Sequence, residues 1–124
     1  MSEILAKFTI PITPVSKKNS QRIVKAGSRW LILPSAKYKQ YEKECKPFLE
    51  AVEPILEPVN VQTVFYMPTH RKCDLVNLQE AILDVLVRYG CIMDDNANIV
   101  VSMDGSRVLY DKENPRTEVL ITKA

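Results

Sequence analysis

This chain has little of what most metal or thiol chemistry requires. Its 124 residues include a single histidine, His70, so a cage of imidazole ligands is excluded. Its three cysteines, Cys45, Cys73 and Cys91, are odd in number, and no two are spaced as C-x-x-C. That pattern suits reduced thiols and gives neither a disulfide framework nor a structural zinc site. No stretch approaches the roughly 18 apolar residues of a membrane span. The opening MSEILAKFTIPITP lacks the basic start and apolar run of a secretory signal. A cytoplasmic protein with no membrane attachment is expected. The chain has no internal repeat, low-complexity tract or linker, and its length suits one domain over 1–124.

Net charge is only +2, too small to indicate a polyanion partner. The distribution says more. Residues 16–29, SKKNSQRIVKAGSR, hold Lys17, Lys18, Arg22, Lys25 and Arg29 without an acid, and residues 69–72, THRK, add Arg71 and Lys72. Set apart from those seven, the other 10 of the 17 basic residues are outnumbered by 15 acids. Cations concentrated in two segments fit a polyanion-binding face. A solvated surface loop fits them as well.

Alternation in EILAKFTIPI predicts a first strand with Ile4, Ala6, Phe8 and Ile10 on one face. A basic loop follows, then a short strand at WLIL, residues 30–33. Ser35 suits the N-cap of a helix that Pro47 breaks or kinks. VNVQTVFYM (59–67), NIVVSM (98–103) and TEVLIT (117–122) read as further strands, with a turn or irregular crossing in DGSRVLYDKENP. Two helices among mixed strands, without regular βαβ alternation, predict an α+β fold: a small mixed sheet packed against two helices.

The most informative stretch is CDLVNLQEAILDVLVRYGCIMDDN, residues 73–96. Leu75, Leu78, Ile82, Val85, Leu86 and Tyr89 share one arc of a helix running from about 74 to 89, which Gly90 closes. Val76, Leu83 and Val87 form a second apolar arc, a candidate subunit contact. Asp74, Asn77, Ala81 and Asp84 form a third. Asp74 and Asn77 address one point, whereas Asp84 lies about 15 Å further along and is better placed to pair with Arg88. Asp74 suits a helix cap, and Asp94-Asp95-Asn96 suits a polar turn. Both also suit a magnesium site, because that ion takes one or two carboxylates and keeps several waters. THRK would set cations for a phosphate beside it.

The pattern D-L-x-N-L-x-x-A-x-x-D-x-L, followed by G and D-D, stands here as Asp74, Leu75, Asn77, Leu78, Ala81, Asp84, Leu86, Gly90, Asp94 and Asp95. It resembles the RusA family of Holliday junction resolvases, especially versions carried by phages and prophages of Gram-positive bacteria. PVSKKNSQRI is similar to that family's proline-serine-asparagine loop, and DGSRVLYDKENPRTEVLI to its closing segment. The resemblance implies a homodimeric, magnesium-dependent endodeoxyribonuclease (manganese substituting) that makes paired symmetric cuts in four-way DNA junctions.

Carried over by position, Asp74 and Asp95 would be metal ligands, with Asn77 and Asp94 supporting them. Lys17, Lys18, Asn19, Arg22, Arg71 and Lys72 would hold the DNA. Three positions depart from the pattern. The family's middle aspartate is Val76, its lysine after the asparagine is Glu80, and the basic residue before the first aspartate is Cys73. Loss of the middle aspartate leaves a second reading open: a protein that binds branched DNA without cutting it.

Overall fold

The computed structural model describes residues 3–17, 22–33, 35–50 and 53–124. Among these residues, seven strands and two helices follow in the order β1 (Ile4–Ile10), β2 (Arg22–Ala26), β3 (Arg29–Leu33), α1 (Ala36–Cys45), β4 (Val59–Met67), α2 (Leu75–Arg88), β5 (Val100–Ser102), β6 (Arg107–Tyr110) and β7 (Arg116–Lys123). A 3-10 turn, Lys46–Phe48, continues α1, with Pro47 inside it. Proline has no N–H to give an α-helical ladder, so the helix tightens and stops there.

β1, β7 and β4 lie side by side and antiparallel; β5 and β6 both pair with the far edge of β4, in parallel. Parallel pairing needs a crossover, and α2 provides it between β4 and β5. The mixed sheet with two helices is the α+β architecture expected from the sequence. Alternation along β4 puts Val59, Val61, Thr63 and Phe65 on the buried face. The three apolar ones join Val119 and Ile121 of β7, Tyr38, Tyr41 and Cys45 of α1, and Leu78, Ala81, Ile82, Val85 and Leu86 of α2 in one core. Each large side chain among them contributes about 1.5–3 kcal/mol by leaving water.

Two strands depart from the expectation. The basic loop is partly a hairpin: β2 pairs with β3 from Arg22↔Leu33 to Ala26↔Arg29, in a separate two-stranded sheet. Gly27, at φ +64°, begins its tight turn. β6 lies within the segment expected to cross irregularly. It takes up the edge of β4 where β5 leaves off, and the intervening turn is tied down by side chains. Asn60 Oδ1 accepts from Ser102 Oγ at 2.6 Å and from the Asp104 N–H at 2.7 Å. The Thr63 N–H donates to Ser106 Oγ at 3.0 Å, so a ladder group facing the gap is still satisfied.

The α2 core face is as expected, with Leu75 and Tyr89 half-buried at its margins, while Asn77 and Ala81 are buried too. Its end is a full Schellman closure: Cys91 N–H to Leu86 O at 2.8 Å and Gly90 N–H to Val87 O at 3.1 Å, with Gly90 at φ +73°. The Tyr89 hydroxyl donates to Glu42 O at 2.9 Å and joins α2 to α1. The second apolar arc does not form one open face. Leu83 and Val87 pack against the core, and Val76 is left 61% exposed.

Candidate metal and DNA site around Asp74

Asp74 takes the backbone role of an N-cap without its side-chain role. Its φ of −97° and ψ of 123° are extended, and its carbonyl accepts from the Leu78 N–H at 3.2 Å. Its carboxylate makes no capping hydrogen bond to α2. Instead Oδ2 accepts from Asn77 Nδ2 at 3.2 Å. Asn77 is only 9% exposed, so a buried amide one turn into the helix holds an exposed carboxylate from beneath.

The turn after α2 divides its two acids differently. Asp94 Oδ1 accepts from the Asp95 N–H at 2.7 Å, and Oδ2 from Asn96 Nδ2 at 3.0 Å. Both Asp94 oxygens therefore shape the turn, and those bonds hold its carboxyl below the usual carboxylate range. Asp95 is shifted upward. Partial desolvation is the largest cause, followed by the Asp94 carboxyl, and the charge of Asp84 adds to it. Asp84 is thus an electrostatic neighbour of this turn. It does not pair with Arg88: Lys17 Nζ meets Asp84 Oδ2 at 3.0 Å, while Arg88 reaches Glu42 at 3.1 Å. A partner 67 residues away in the chain displaced the one at i+4.

Just before Asp74 in the chain, residues 69–73 run beside β6. Thr69, His70, Arg71, Lys72 and Cys73 line a hollow of about 420 Å³ with Leu109 and Tyr110 of β6. The His70 and Tyr110 rings stack at 3.9 Å. Arg71 and Lys72 are exposed and put two cations directly before Asp74 in the chain. The aromatic pairing was not anticipated, because it depends on β6; the alternation in RVLY was the available signal.

The remaining expected DNA contacts are spread out. Lys17 is engaged by Asp84 and lies 5.4 Å from the Tyr38 ring centre. Arg22 begins β2, and Lys18 and Asn19 fall outside the described residues. Glu80 is exposed on α2.

Among the described residues, no three His, Cys, Asp or Glu side chains gather as a ready metal cage. The oxygen donors at Asp74 and Asn77 nonetheless suit a hard cation that binds through one or two carboxylates and keeps its waters. The two core thiols are poor thiolate donors: burial pushes Cys45 up to about 12 and Cys91 up to about 11.

A mixed sheet on two helices, with a carboxylate set free at a helix start and cations beside it, is an arrangement suited to phosphodiesters. A comparison with protein families agrees: the profile described as Endodeoxyribonuclease RusA matches residues 11–122. The chain belongs to the RusA endodeoxyribonuclease family, and it is an enzyme of that class. No curated protein matches it in a comparison of whole sequences.

Proposed function

We propose that the protein is a divalent-cation-dependent endodeoxyribonuclease that resolves four-way DNA junctions as a homodimer. Asp74 and Asp95 hold the cation, magnesium or manganese, with Asn77 and Asp94 in support. The observation that carries this reading is the Asp74 carboxylate, placed at a helix N-cap yet turned to a buried asparagine. When bound, the cation supplies an activated water at neutral pH and offsets charge on the leaving oxygen. The chain does the rest. Asn77 Nδ2 fixes the orientation of Asp74, and Asp94 shapes the turn that presents Asp95. Arg71 and Lys72 bind the phosphate backbone beside Asp74, which makes binding strongly salt-dependent. A two-fold dimer offers matching sites to a junction with approximate two-fold symmetry.

One feature favours a second reading, branched-DNA binding without cutting. Val76, where the family pattern has an aspartate, is 61% exposed and supplies no ligand. Incision of a labelled immobile junction, in magnesium and in EDTA, separates the two. Paired cuts that require magnesium and disappear in Asp95→Asn are expected. Tight junction binding without cuts in either magnesium or manganese would establish the binding protein instead.

A further inference from the structure

The β2–β3 hairpin exposes an apolar surface that no role described so far uses. Ile23 pairs with Ile32 and Lys25 with Trp30, two residues apart along each strand, so these four side chains share one face. On that face Ile23 is 68%, Trp30 69% and Ile32 65% exposed. The opposite face is better covered, with Val24 and Leu33 half-buried. Lys25 Nζ lies 5.7 Å from the Trp30 ring centre. Large apolar side chains gathered in the open are costly unless they serve a partner.

Charge selects that partner. Between Glu3 and Glu42 the chain has no acid and eight lysines and arginines, three of them in this hairpin. A symmetric contact between two copies of this face would bring like charges together, which disfavours it. A polyanion with flat apolar parts fits both the cations and the tryptophan. We infer that the hairpin is a second DNA contact, in which Trp30 stacks on unpaired or unstacked bases at a strand-exchange point while Lys25, beside it on the same face, holds a flanking phosphate. This rests on the branched-DNA reading above and extends it: the hairpin recognises the branch, separately from the acids that cut.

Trp30 is the chain's only tryptophan, so its fluorescence reports the hairpin directly. The test titrates the full-length protein, in EDTA, with an immobile four-way junction, a blunt duplex of equal length and a single-stranded oligothymidine. Gel shifts with the same DNAs are run alongside. The junction and the single strand are expected to quench or shift Trp30 emission well before the duplex does. Trp30→Ala should weaken junction binding about tenfold or more, a typical loss for a stacking residue, while Trp30→Phe keeps most of it. Circular dichroism verifies that both variants are folded.

Junction binding at native strength with silent Trp30 emission would overturn the inference and leave the proposed function standing. So would an emission change that follows protein concentration without DNA, which would make this face a contact between copies. Failure to bind any of the DNAs would remove the proposed function and this inference together.

Discussion

Ser35 and Asp74 stand at the same position of two helices, each extended in backbone and each of a residue type favoured as an N-cap. Ser35 Oγ accepts from the Tyr38 N–H at 3.1 Å and caps α1. Asp74 leaves the α2 amides without a side-chain cap and accepts from Asn77 instead. One residue completes its helix; the other leaves that bond unmade, and follows Arg71 and Lys72 in the chain. The same contrast divides the acids of the turn after α2, where Asp94 closes the turn and Asp95 keeps a raised proton affinity. Asp74 and Asp95, the two acids proposed to hold the cation, are those whose carboxylates do not close their own cap or turn.

Substitution at the two helix starts tests that contrast most severely. Asp74→Ala should lower magnesium-dependent junction incision by about a hundredfold or more, since even residues that only support a metal ligand cost about 10–100-fold. Its stability loss should be small, about 0.3–0.5 kcal/mol from the lost charge at the helix start. Ser35→Ala should do the reverse, costing about 1 kcal/mol in denaturant unfolding with incision preserved. If Asp74→Ala costs as much stability as Ser35→Ala and still cuts, Asp74 is only a cap.

A smaller effect is expected one turn further along. Asn77→Ala frees the Asp74 carboxylate from its buried amide, so incision should fall about 10–100-fold. Part of that loss should be recovered by raising magnesium, because the ligand is misplaced and not removed. A magnesium titration of the cutting rate reads this directly. An unchanged half-saturation point would make Asn77 a packing residue.

Much of this was legible in sequence, and the exceptions share a cause. β4 appears over the nine residues its alternation marked, and α2 falls within a residue of its expected ends, because both are long and strongly periodic. By sequence β2 looks like loop, since Arg22 and Lys25 outweigh Ile23 and Val24, and its strand character comes from pairing with β3. β6 is four residues long and is held by β4 and by the Asn60 and Thr63 contacts, which the chain makes only after folding. The Asp84 partner was missed for the same reason. Helical spacing points to Arg88, but Lys17 comes from the loop before β2. Spacing alone fits Asp74 and Asp95 to a cap and a turn as well as to a metal, and the family resemblance is what singles them out. Which one escapes a structural duty depended on side-chain hydrogen bonds that spacing does not encode.

The mildest test concerns an acid wholly engaged in structure. Asp111 Oδ2 meets Arg116 Nη1 at 2.9 Å, and its Oδ1 accepts from the Glu113 and Asn114 N–H groups at 3.1 Å each. The Arg116 hydrogen bond, with those amides, holds its carboxyl below the usual range. A carboxyl lowered by folding stabilises the native state above its unfolded pKa of about 3.9, and that stabilisation is lost as pH falls through the folded value. Asp111→Asn should therefore flatten the acid limb of stability against pH below about pH 4. The loss should be present in full near neutrality and fade as pH falls, and it should be small because the ion pair is partly open to solvent; junction incision should be unaltered. Denaturant midpoints from pH 3 to 7 measure the limb. An acid limb identical to that of the native protein would show that the Asp111 bonds are too weakly held in solution to lower its titration. A fall in incision would mean that an engaged acid also serves the site, and the division drawn between Asp74 and its neighbours would then need another basis.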